Sequence, residues 1–212
     1  MKIDLHSIKS IGRTIPLFLL MTLLTGCYSA YNLANVPLKS AAIVQVDPSN
    51  QRKLPAFVSS ISVKENNGAA NVSEEFEHRV LGHLQQANYF SDVTYSIYAK
   101  RPEPPYVELS LDASENQDLN EGANSTKAFL TGFTLFILAP VLPNSYDYDT
   151  TFTLSAKWPN GINRVYKASC AANAYGTFPY TTLDQKYQAA TGDATEKCLN
   201  SVINQLTSDT IK

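Results

Sequence analysis

Glycine is scarce in this chain. Nine are spread over 212 residues, and none gather into a loop able to cradle a phosphate. The three histidines and three cysteines form no cluster with metal-ligand spacing. No serine occupies a Gly-x-Ser-x-Gly setting. The 17 lysines and arginines never cluster, which argues against nucleic acid, where affinity rests on phosphate neutralisation. No continuous apolar stretch reaches the roughly 20 residues of a membrane-spanning helix. The sequence therefore points to no cofactor, no metal and no enzyme.

What is present begins at the amino terminus. Lys2, Lys9 and Arg13 give a positive end, and Ile15 to Leu24 give a short apolar centre. Leu24-Thr25-Gly26-Cys27 closes it with small residues, as at the cleavage site of a secretory signal. This tetrapeptide resembles the lipobox of bacterial lipoproteins, in which the cysteine is acylated and the chain is cut just before it. The resemblance implies that Cys27 becomes a diacylglyceryl-bearing first residue. In many Gram-negative bacteria an aspartate next to it favours inner-membrane retention. Tyr28 here implies the outer membrane, facing the periplasm. With two or more acyl chains, each buried methylene contributing about 0.8 kcal/mol, such an anchor is stable.

Removing residues 1–26 takes away three basic side chains and one acidic one. What is left is 14 basic and 18 acidic side chains, a formal charge of −4. The expected organisation is a signal peptide at 1–26, a lipidated amino terminus and tether at 27–55, and one periplasmic domain at 56–212. Within the tether, 41–46 could form an edge strand. In an oxidising compartment Cys170 and Cys198 most simply form a disulfide, with two buried thiols as the alternative.

Along the domain, 57–63 reads as a β-branched strand ended by Asn66-Asn67-Gly68. A helix follows, with Asn71 and Glu74 as a capping box and Val72, Phe76, Val80, Leu84 and Ala87 as its apolar stripe. His78 and His83 fall on it as surface residues, five apart rather than four. Residues 92–99 and 106–112 alternate as strands, separated by a proline-rich turn at 101–105. A polar loop is expected over 114–127. Residues 146–158 alternate most clearly of all, with Tyr146, Tyr148, Thr150, Phe152, Leu154, Ala156 and Trp158 on one face. Pro159-Asn160-Gly161 turns the chain into a strand over 162–175. A last helix spans 183–206, with a possible break at Gly192-Asp193. Cys170 and Cys198 lie on stripes expected to meet.

The order β-α-β-β-β-β-α implies an α+β fold, an antiparallel sheet of four to six strands with two helices on one face. In topology it resembles the LptE-like and TolB amino-terminal-like domains of envelope proteins, with no residues carried across. Asp147 and Asp149, about 7 Å apart along one strand, are the best catalytic candidates for a hydrolase. They read more simply as a solvated face.

The uncharged stretch 128–142 is the better lead. Its large side chains are Phe129, Leu130, Phe133, Leu135, Phe136, Ile137 and Leu138. As a helix it would reach about 22 Å, short of a bilayer core. Burying each side chain stabilises by about 1.5–3 kcal/mol, so a sink is expected. Three are open: the domain's own core, a partner protein or bilayer interface, and a hairpin in a membrane ring. Phe129-Leu130-Thr131-Gly132, Thr134-Leu135 and Pro140 resemble a segment of uncharacterised Gram-negative lipoproteins. The resulting expectation is an outer-membrane lipoprotein that serves as an interaction or assembly-accessory module, held to the membrane by lipid and meeting an envelope protein. The alternative is a carrier of a lipid or other apolar ligand.

Overall fold

Tyr148, Thr150, Phe152, Leu154 and Ala156 are all buried, so the alternation in this part of the chain does place one face against the core. The computed structural model describes residues 29–34, 42–47, 52, 54–133, 142–177 and 182–209. Among these the strands are β1 (Ser29–Ala34), β2 (Ala56–Glu65), β3 (Gly68–Ala70), β4 (Val93–Tyr95), β5 (Val107–Asp118), β6 (Asn144–Lys157) and β7 (Asn163–Gly176). The helices are α1 (Glu74–Gln86), α2 (Glu121–Phe133) and α3 (Leu183–Ser208). They form an α+β fold around a single seven-stranded sheet of order β1-β7-β6-β5-β2-β3, with β4 beside β2.

The sheet is mixed rather than antiparallel. β2 runs parallel to both β5 and β4, and the remaining pairs are antiparallel. The cause is the connection: after β2 and its short hairpin the chain crosses the sheet through α1 and returns in the same direction. Asn66 and Asn67, both at positive φ, form the tight turn between β2 and β3. Gly161, at φ 83°, does the same between β6 and β7, where Asn160 Oδ1 accepts from Ile162 N.

One face of the sheet carries the core. α3 lies along β7 and β6, and its buried stripe includes Ala190, Ala194, Cys198, Val202 and Leu206. α1 adds Val80 and Leu84, with Phe76 against Phe152 at 6.1 Å between rings. Cys170 on β7 and Cys198 on α3 are joined, S–S 2.09 Å with Cα atoms 5.9 Å apart. The opposite face of β6 is half exposed and polar, from Thr151 through Ser155.

Several expectations are corrected. Ser29–Ala34 is a strand paired with β7, where the sequence suggests a tether. Residues 42–47 form no strand; they are held instead by Asn204, which donates to Ala42 O (2.8 Å) and accepts from Val44 N (2.9 Å). Ser73, not Asn71, caps α1, its Oγ accepting from Phe76 N. The strand expected over 92–99 shortens to β4, and Ile97 is exposed. The loop expected over 114–127 is the end of β5 followed by α2. α3 is unbroken at Gly192-Asp193, and Asp193 caps no new helix but accepts from Tyr31 OH on β1 (2.8 Å).

Candidate functional site

The end of the sheet at which β1 and β6 begin gathers the features that set this domain apart. Ser29, Gly176 and Asn144 lie in one row across β1, β7 and β6. α2 packs beside that row. Asp118 Oδ1 accepts from Asn120 N (2.7 Å) as β5 ends, and Asn120, at φ 50°, redirects the chain into the helix. Asn120 Nδ2 then donates to Asp147 Oδ2 (2.7 Å) and to Ser145 O (3.2 Å). Asn124 Nδ2 donates to Ser145 O (3.0 Å), and its Oδ1 accepts from Ser145 N (3.2 Å). Lys127 Nζ donates to Pro143 O (2.8 Å). Amide and ammonium groups thus tie the helix to the backbone at the start of β6.

The expected apolar segment splits here. Ala128 through Phe133 belong to α2, a helix rather than a hairpin strand, with Phe129 72% and Leu130 41% exposed and Thr131 buried. Leu135, Phe136, Ile137 and Leu138 lie outside the described residues, as do Leu24, Thr25, Gly26 and Cys27. Asp147 and Asp149 do not form an open carboxylate pair. Asp147 is held by the side-chain amides of Asn120 and Asn173, while Asp149 is exposed. Asp147 therefore anchors α2.

A second feature is a polar cleft of about 270 Å³ between α1, α3 and the sheet. Val107, Leu109, Leu111 and Ala113 face the core, and the same alternation carries Glu115 and Gln117 inward beneath the two helices. Burial pushes the Glu115 carboxyl above its ordinary value, and a hydrogen bond from Tyr148 opposes this. Burial likewise raises the Tyr148 phenol, whose hydroxyl lies 2.9 Å from Thr195 Oγ1. Arg79 also lines the cleft, but its guanidinium is paired with Glu75 at 2.9 Å. The cleft is thus walled by neutral and acidic groups, with its cation engaged.

On the flank of α1, Glu77 accepts from Tyr95 OH (3.2 Å) and Tyr98 OH (2.8 Å). The second bond is the main reason that the Tyr98 phenol is pushed up to about 12. His83 corrects the expectation of a surface residue: it is largely buried, with Nε2 2.6 Å from Glu196 Oε1 on α3. His78 is exposed and stacks on Tyr98. Among the described residues no three His, Cys, Asp or Glu side chains gather as metal ligands.

Sequence reasoning missed Asn120, Asn124 and Lys127. Their signal was a 4-3 spacing of hydrogen-bonding side chains, continued by Thr131 four residues on. It also missed Glu115, whose signal was a charged residue in the inward phase of an alternating strand.

No family model and no curated protein matches this chain. Among solved structures it is similar to a minor lipoprotein from Acinetobacter baumannii. The two share 11% identity at a TM-score of 0.36, over 71% of this chain and 87% of that one. A likeness that slight carries nothing further. No helix among the described residues is long and apolar enough to cross a membrane.

Proposed function

We propose that this chain is an outer-membrane lipoprotein, acylated at Cys27, whose α+β domain acts in the periplasm as a non-enzymatic interaction or assembly-accessory module. The carrying observation is the spacing between the lipobox-like tetrapeptide and the fold. Two residues after Cys27, Ser29 is already paired with Gly176 in the sheet. A chain cut before Cys27 would present its lipid at the edge of a folded domain, and the uncharged stretch 128–142, whose first six residues end α2, would be the docking element. The buried disulfide suits the oxidising compartment that this reading requires. The carrier alternative draws less support. The space between helices and sheet is lined by Glu115, Gln117, Arg79 and Glu75, which suits no apolar cargo.

Metabolic labelling with a palmitate analogue, in wild type and Cys27→Ala, tests the address. Label and outer-membrane fractionation should both depend on Cys27. Cross-linking in intact cells tests the role and should recover an envelope protein with wild type. A wild-type chain that keeps its leader and carries no acyl mass removes the lipoprotein reading. An acylated chain recovered only by itself removes the accessory role.

A further inference from the structure

The direction of α2 decides what its exposed end can meet. Asn120, Asn124, Lys127 and Thr131 recur along one side of the helix. The partners of the first three in and just before β6 step backwards along the chain, from Asp147 and Ser145 for Asn120, to Ser145 for Asn124, to Pro143 for Lys127. α2 therefore runs antiparallel to β6 and leaves the sheet past Asn144, the first residue of that strand. From Lys127 to Phe133 the helix rises about 9 Å, beyond the row Ser29, Gly176, Asn144. On this projecting part Phe129 and Leu130 face outward, 72% and 41% exposed.

Cys27 precedes Ser29 by two residues, so its Cα lies at most about 7 Å from the same row. Ser29 and Asn144 stand two strand spacings apart, about 10 Å. Ser29, two residues after Cys27, and the apolar end of α2 thus lie at the same end of the domain. No charged residue occurs from Ala128 through Tyr146, so nothing in that sequence carries the desolvation cost of a charge brought to a membrane.

We propose that Phe129 and Leu130 enter the interface of the phospholipid leaflet that holds the acyl chains of Cys27. This inference rests on the lipid-anchored reading of Cys27. An acyl anchor alone leaves a domain free to swivel, whereas a second contact on another element at the same end restricts its tilt. The strands then stand away from the membrane. The turn at Pro159-Asn160-Gly161 is held outward by the fourteen residues of β6, a length of about 48 Å.

Trp158 is the chain's only tryptophan and lies buried beside that turn, which makes the wild type an internal zero. The acylated full-length protein is reconstituted into phosphatidylethanolamine–phosphatidylglycerol vesicles, with and without brominated acyl chains. Wild-type emission should be equal in both. Phe129→Trp places an indole roughly 5–10 Å into the interface, within reach of the bromines, so total emission should fall by up to about half. Val165→Trp, at an exposed site near the far turn, should behave as wild type.

Acylated Phe129→Trp protein quenched no more than wild type overturns the inference and leaves the lipoprotein reading standing. So does a photo-cross-linker at position 129 that captures a single protein instead of lipid. Absence of acyl mass on Cys27 removes both readings together, and mass spectrometry of the same sample reports it.

Discussion

Replacing both Cys170 and Cys198 by alanine should lower stability by about 3.5 kcal/mol. The two residues are 28 apart in sequence, and the chain-entropy relation for a loop of that size gives about 12 cal/mol/K, or about 3.6 kcal/mol at room temperature. Both side chains are almost wholly buried, at 2% and 0%, so deleting the sulfurs adds a small packing loss in the same direction. For a domain of this size about 2–4 °C of Tm accompanies each kcal/mol, which predicts a drop of about 7–14 °C. Thermal unfolding followed by circular dichroism reads this directly, and urea titration adds a second signature. The unlinked unfolded chain is more expanded, so the m-value should rise while the folded near-ultraviolet spectrum stays the same. A drop under about 2 °C, or a changed native spectrum, would refute the view that the bond acts by constraining the unfolded chain.

Glu115→Gln should raise Tm at pH 7 and leave it unchanged near pH 4. The folded carboxyl holds its proton above the unfolded value of 4.5, so the wild type loses stability as pH climbs through the raised value. A uniform effect across pH would show that packing, not ionisation, is responsible. Phe152→Ala, at 0% exposure, should cost about 3–5 kcal/mol, read as an earlier urea midpoint. Asn124→Ala removes the amide that bonds Leu119 O and both backbone groups of Ser145, a local loss of about 1–3 kcal/mol. Hydrogen exchange should speed up across 121–133 while α3 stays protected; unchanged exchange in α2 would mean that other contacts hold the helix.

What could be read in advance followed the physics that writes itself into spacing. β6 and β7 alternate because one face is buried, and the turn between them carries the Asn160-Gly161 pair that a tight hairpin favours. The stripes holding Cys170 and Cys198 could be laid opposite each other because helix and strand periods differ and each had one apolar face. α2 was illegible for the opposite reason. Its docked side presents Asn120, Asn124 and Lys127, satisfied by hydrogen bonds, so no hydrophobic period exists to find. Ser-Ala-Tyr-Asn-Leu-Ala in β1 has little alternation either, since β7 recruits it through backbone pairing. Whether β2 runs parallel or antiparallel to β5 depends on the crossover through α1, which no residue of either strand records.

The domain also answers how a load on its amino terminus would reach its core. Beyond six register positions shared with β7, β1 is tied to the other layer. Ser29 Oγ lies 2.6 Å from Thr182 Oγ1 just before α3, and Tyr31 OH donates to Asp193 within that helix. β7 and α3, the two elements that grip β1, are themselves joined by the Cys170–Cys198 bond. A pull on Ser29 is therefore resisted by a sheet margin and a helix that cannot separate, rather than by one frayed edge strand. On the proposed reading this closed clasp is what a lipid two residues upstream requires. A flexible tether would let the domain drift from the membrane, whereas β1 fixed to a covalently closed pair holds the row Ser29, Gly176, Asn144, and with it the end of α2, at a set distance from the bilayer.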